Sequence, residues 1–141
     1  TSDGARPVPS PAPARAPAGT TTYKFTSMEL SPQLKKGSCL YRVRYGNFSN
    51  VAFAQVRTYS SGCGNMTVSV YGQNGTIQGT WNSSSYSVRN HGDGCGTYNE
   101  RQATSSENQI AIGMAVTFNS LGGTTRFMYH SGGSLPAHRN C

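Results

Sequence analysis

Acidic side chains are scarce in this sequence: Asp and Glu together number five in 141 residues. A calcium site gathers several carboxylates around one ion, and five scattered along the chain do not supply that. Charged residues make up 12% and hydrophobic residues 35%, both low, which leaves little material for amphipathic helices. There is no apolar run long enough for a membrane-spanning helix. The CxxC and HxxxH pairs of zinc sites are missing, as are a G-x-S-x-G elbow, a dense basic–aromatic RNA motif and an internal repeat. Neither cofactor nor metal is therefore expected, and nucleic acid is not an expected partner.

Gly, Ser, Thr and Asn fill the space, as in a turn-rich β-protein. The most ordered pattern is the stretch 109–119, in which Ile110, Ile112, Met114, Val116 and Phe118 share one parity and Ala111, Gly113, Ala115 and Thr117 the other. Successive strand side chains point to opposite faces, so this reads as a central strand with one apolar face and one of small residues. A helical period would scatter the large residues around the axis. The small-residue face needs a cover, expected from within the chain.

Other strands are expected over 20–30, 39–45, 51–59 and 66–70, with returns through 76–81, a short strand at Tyr86 and Val88, and 124–130. Cys39, Tyr41, Val43 and Tyr45 alternate with Leu40, Arg42 and Arg44. Gly46-Asn47 and the stretches 60–65 and 120–123 read as turns, and Gln73-Asn74-Gly75 as a type I′ hairpin. The stretches 91–96 and 98–108 are polar and read as loops. About eight short strands separated by Gly/Asn turns imply an all-β fold, a single small antiparallel β-sandwich or barrel, spanning 20–141.

Residues 1–19 are different material. Five of the seven prolines lie there, among Ala, Ser and two arginines. Proline fixes φ and removes a donor, so this segment favours polyproline II and reads as an extended arm. Its bland reading is a spacer. As a recognition segment, Arg6, Pro7, Val8, Pro9, Pro11, Pro13 and Arg15 would contact a partner, because a stiff chain loses little entropy on docking. Pro7 makes the bond after Arg6 a poor substrate for trypsin-like proteases, a property suited to lying in such a cleft.

Cys39, Cys63, Cys95 and Cys141 are even in number and widely spaced, implying two disulfides and an oxidising compartment. Three connectivities are open; Cys39–Cys63 with Cys95–Cys141 is favoured because the second bridge would hold the C-terminal tail. The first residue is Thr rather than Met, as in a processed chain, and secretion is the expected localisation. Nine arginines against three lysines give most of the net charge of +7, which attracts anionic partners or serves solubility alone. Asn47, Asn65, Asn74 and Asn82 sit in N-x-Ser/Thr triplets, glycan acceptors only in a eukaryotic secretory route.

Two sets of residues invite a catalytic reading. His91-Gly-Asp93 puts an imidazole and a carboxylate together, but a polar pair in a Gly-rich turn is ordinary turn chemistry. Glu100, Arg101 and His130 resemble the set of small secreted microbial ribonucleases, which however pack a helix on their sheet, and none is readable here. The expectation is a protein that is not an enzyme.

The layout of a Pro/Ala-rich arm, a cationic β-domain and two disulfides resembles the small adaptor subunits of bacterial umbrella toxin particles. That resemblance implies that the arm, from Arg6 to Arg15, inserts into the cleft of a degenerate trypsin-like domain, and that the β-domain meets the repeats of a large toxin. A secreted binding or adaptor protein is thus expected. The alternatives are a secreted protease inhibitor and a glycan- or wall-binding β-domain, the latter with Tyr23, Tyr41, Tyr45, Tyr59, Tyr71, Trp81, Tyr86 and Tyr98 as candidate contacts.

Overall fold

The alternating segments pair into strands in a computed structural model, which describes residues 20–25, 29–82, 89–119, 121–133, 135 and 141. The arm, with its seven candidate contact residues, lies outside the described residues, as do Tyr86 and Val88. The strands are β1 (Thr20–Phe25), β2 (Leu34–Lys36), β3 (Cys39–Phe48), β4 (Val51–Thr58) and β5 (Met66–Tyr71), then β6 (Ile77–Asn82), β7 (Arg89–Asp93), β8 (Gly96–Glu107), β9 (Gly113–Phe118) and β10 (Thr124–Tyr129). A 3-10 turn, Ser61–Cys63, links β4 to β5. No helix among the described residues is long and apolar enough to cross a membrane.

Two five-stranded sheets result, one in the order β1-β10-β9-β5-β6 and one in the order β2-β3-β4-β8-β7. They do not close on each other, so the architecture is a sandwich. Ten strands are seen among the described residues, where about eight were expected. All pairings are antiparallel except β1 with β10, which run parallel with Thr20 opposite Thr124.

Strand β9 is the middle of the first sheet. Its Met114, Val116 and Phe118 are fully buried, facing Val68 and Val70 of β5 and Phe127 of β10 across the sheet or its diagonals. From the second sheet, Tyr41, Val43 and Tyr45 of β3 and Ala52, Ala54 and Val56 of β4 complete the core. An aromatic chain joins the layers. Tyr23 stacks on Phe127 with centroids 5.6 Å apart, Tyr41 meets Phe127 edge-on at 6.4 Å, and Tyr41 packs on Phe118 at 5.0 Å. Burial pushes the Tyr41 phenol well above its ordinary pKa, and its hydroxyl finds a partner in Thr125. A buried phenol contributes apolar area while a hydrogen bond to its hydroxyl offsets the cost of desolvating it.

The apolar pattern of 109–119 overreaches at its start. Ile110 shares the parity of the core residues yet is 57% exposed, because the strand begins only at Gly113. Ahead of it, Asn47 holds the chain in a connecting turn: its Nδ2 donates to the Gln109 carbonyl (2.7 Å) and its Oδ1 accepts from the Ala111 amide (3.0 Å). The small-residue face is covered from within, as expected. Met128 of β10 lies over Gly113, where an added Cβ would come within 2.6 Å of its Sδ, and Arg126, opposite Ala115, reaches across the Tyr71 ring at 5.3 Å.

Several expected boundaries move. Gly46-Asn47 lies inside β3, and the hairpin turns instead at Ser49-Asn50, with Ser49 at φ 55°. The Asn74-Gly75 turn closes with the Gly75 amide donating to the Gly72 carbonyl, but only Gly75 adopts positive φ, so it is not type I′. The 98–108 stretch, expected as a loop, is most of β8, a twelve-residue strand between β4 and β7. Backbone pairing on both edges holds it, and polar partners satisfy its side chains: Gln55 Nε2 donates to Gln102 Oε1 at 2.6 Å. Period-two hydrophobicity is not needed where polar side chains satisfy each other across strands. Residues 91–93, expected in a loop, finish strand β7.

Both favoured disulfides form. Cys39–Cys63 ties the start of β3 to the 3-10 turn, and Cys95–Cys141 ties the β7–β8 turn to the last residue. At the flank, β6 runs so close to β8 that a Cβ on Gly79 would overlap the Thr104 carbonyl.

Urea unfolding checks this packing. Phe127→Ala is expected to cost about 3–5 kcal/mol, as for other fully buried aromatics, and Ile110→Ser no more than about 0.5 kcal/mol, as for an exposed residue. Equal losses would contradict the assignment of Ile110 to the surface.

Candidate functional site

The outward face of the second sheet carries the densest polar chemistry among the described residues. Strand parity puts Arg42 and Arg44 of β3, Arg57 and Gln55 of β4, Glu100 and Gln102 of β8, and His91 and Asp93 of β7 on this face. Arg42, Arg57 and Glu100 form one cross-strand row, and Arg44, Gln55 and Gln102 the next. Arg44 donates to Gln55 Oε1 through Nε (3.0 Å) and Nη2 (2.6 Å) and lies over the Phe53 ring, which Phe48 stacks against at 4.1 Å. Phe53 is thus fully buried although it points away from the core.

Asp93 is the hub. Its Oδ2 accepts from Arg57 Nη1 at 2.7 Å and from the Tyr59 hydroxyl at 2.6 Å, with Arg42 Nη1 at 3.5 Å, while Oδ1 accepts from the Cys95 amide at 2.8 Å. Burial works against this carboxylate's charge, but the bonds from Tyr59, the Cys95 amide and Arg57 outweigh it and hold its pKa below the ordinary carboxylate value. Burial and the bond to Asp93 push the Tyr59 phenol up to about 12. Burial opposes the Arg57 charge, yet Asp93 overcomes that and raises its pKa. Arg57 also caps the Tyr98 ring at 4.4 Å, a cation–π contact.

The His91-Gly-Asp93 stretch therefore does turn chemistry and ion pairing. His91 lies against the Tyr98 ring, centroids 6.1 Å apart, while Asp93 serves the arginines and its own turn. Glu100, Arg101 and His130 are not brought together. Glu100 shares the outward row with Arg57, but Arg101 points to the other side of β8, where it donates to Thr58 and sits over the Trp81 ring at 5.9 Å. Burial lowers the Arg101 pKa. His130 follows β10, a strand of the other sheet. Neighbours in a strand face opposite ways, which separates Glu100 from Arg101 by construction.

Of the candidate contact aromatics, Tyr41, Tyr45 and Trp81 are core residues, and Tyr71 lies under Arg126. Tyr59 and Tyr98 differ. Their rings are tilted at 55° with centroids 5.7 Å apart, and both residues line a cleft of about 380 Å³ together with Thr58, Ser60, Ser61, Thr97 and Asn99, although Tyr98 itself is buried. The cleft forms where β4 ends, the 3-10 turn begins and β8 starts. Only the Ser/Gly turn after Tyr59 hinted at it in the sequence; Thr97 and Asn99 carried no signal, because they meet the turn only through strand pairing.

Asp93 makes acid sensitivity predictable. A carboxylate whose folded pKa is depressed stabilises the fold above its unfolded pKa of about 3.9, and that contribution disappears as pH falls through the lower folded value. Asp93→Asn is expected to cost about 1–3 kcal/mol at neutral pH by leaving Arg57 and Tyr59 with a weaker partner. It should also flatten the acid limb of melting temperature against pH. An unchanged acid limb in the variant would refute this role.

No protein-family model, curated protein or solved structure matches this chain.

Proposed function

We propose that the chain is a secreted, non-enzymatic binding or adaptor protein that captures a protein partner through residues 1–19. The observation that carries this reading is the arm itself: prolines at 7, 9, 11, 13 and 17 with Arg6 and Arg15 give a segment already close to its bound shape. The way it joins the domain supports the reading. It leads into β1, an edge strand whose only described neighbour is β10, so the arm joins the domain at a sheet margin. Two disulfides suit an oxidising exterior. The partner cleft is that of a degenerate trypsin-like domain, and the β-domain carries this partner to a repeat-containing toxin.

Deleting residues 1–19 is the test. Immobilised full-length chain is expected to retain a secreted protein bearing a trypsin-like domain, and the deleted chain to lose it with an unchanged melting temperature. Equal capture by both would sink the adaptor reading. Stoichiometric inhibition of active trypsin or subtilisin by the full chain would replace it with an inhibitor.

A further inference from the structure

Arg101 carries a charge that no carboxylate among the described residues answers. On the outward face of the sheet, Asp93 takes up Arg57 at 2.7 Å and stands 3.5 Å from Arg42. Arg101 points the opposite way. Its Nη1 donates to the Thr58 hydroxyl and, at 3.5 Å, to the Asn99 carbonyl, both neutral, and its Nε and Nη2 have no hydrogen-bond partner among the described residues. Burial lowers its pKa and nothing offsets that. A half-buried guanidinium without a counter-charge is costly, and an anion arriving beside it removes the cost.

That cation borders the cleft between the end of β4 and the start of β8. Thr58 pairs with Asn99 and Val56 with Arg101, so Thr58, Asn99 and Arg101 share one face of the sheet. Thr58, Asn99, Ser61 and Thr97 line the cleft, and no carboxylate does. Ser61, Thr97 and Asn99 are exposed, whereas Ser60 spends its hydroxyl on the Leu40 amide and the Ser38 carbonyl. The Thr58 hydroxyl accepts from Arg101 and keeps its own proton to donate. Donors from two strands and a turn around one guanidinium suit a tetrahedral oxyanion, whose oxygens point in all directions, better than a planar carboxylate. The volume, about 380 Å³, lies at the small end for ligand clefts.

We infer that this cleft binds the phosphate or sulfate group of a small ligand, with Arg101 supplying the charge and Thr58, Ser61, Thr97 and Asn99 the hydrogen bonds. The site lies in the second sheet and the arm joins the first, so the two activities separate: arm deletion leaves anion binding intact, and Arg101 variants leave partner capture intact.

The test uses the ¹⁵N-labelled full chain titrated separately with inorganic phosphate, inorganic sulfate, glucose 6-phosphate and glucose, at an ionic strength held constant with sodium chloride. At least one of the three anions is expected to give saturable shifts at the amides of Ser61, Thr97 and Asn99, with Kd between about 0.1 and 10 mM, and to raise the melting temperature. Tighter binding of glucose 6-phosphate than of inorganic phosphate supports the proposal with an esterified ligand, and equal binding supports it with the free ion. Arg101→Gln removes an uncompensated charge, so it should melt no lower than the parent chain while binding the anion about tenfold more weakly, as the loss of a charge-assisted bond does. The proposal is overturned if no anion gives saturable shifts, if sodium chloride alone reproduces them, if glucose binds as well, or if Arg101→Gln binds as well as the parent. If Arg101→Gln unfolds, Asn99→Ala decides: a loss of about threefold to tenfold is expected, and unchanged affinity overturns the proposal.

Discussion

The sandwich depends on Tyr41. From the second sheet it enters the aromatic cluster of the first, touching both Phe118 of β9 and Phe127 of β10 while its hydroxyl is taken up by Thr125. A hydrophobic fraction of 35% is a thin supply for two layers, and large rings answer it by covering more area per residue than aliphatic side chains can. The same economy explains why Tyr23, from an edge strand, continues the stack onto Phe127. It also explains why the remaining inward positions can be as small as Ala52, Ala54 and Ala103.

With the apolar residues committed inward, the outer face of the second sheet is held by polar means. Five acidic residues cannot pair with twelve basic ones, and Asp93 meets the shortage by serving Arg57, Arg42 and Tyr59 at once. Other arginines turn to neutral acceptors and rings, Arg44 to the Gln55 amide and Phe53, Arg101 to the Thr58 hydroxyl and Trp81, Arg126 to Tyr71. Guanidinium groups stack on aromatic faces and donate in a fixed plane, which lysine ammonium groups do not. The excess of arginine over lysine thus has a structural use besides its charge.

What could be read in the residues was whatever strand alternation writes directly. Cys39 to Tyr45 and Met114 to Phe118 face as their parity implies, and the disulfide pairing followed from a need to hold the tail. Three things escaped. The polar strand β8 has no apolar rhythm, because cross-strand pairs such as Gln55–Gln102 do for it what burial does elsewhere. Ile110 obeys the rhythm and is nevertheless outside, because Asn47, far away in sequence, takes the Gln109 carbonyl and the Ala111 amide ahead of the strand, which begins only at Gly113. The Tyr59–Tyr98 cleft is made by register between strands that are about forty residues apart, and register is a tertiary property.

The Asn47 amide has a consequence for how the protein can be made. Asn47 heads an N-x-Ser triplet, yet its side-chain nitrogen is the atom that donates to the Gln109 carbonyl across the junction between the sheets. An oligosaccharyltransferase works on chains that are still unfolded, before β3 has met that turn. A glycan transferred to Nδ2 at that moment would stand against the seat of the turn, and β9 would enter its sheet without its leading anchor. The choice of host cell is therefore a folding variable for this chain: a bacterial exporter leaves the nitrogen bare, and a eukaryotic secretory pathway competes with the fold for it.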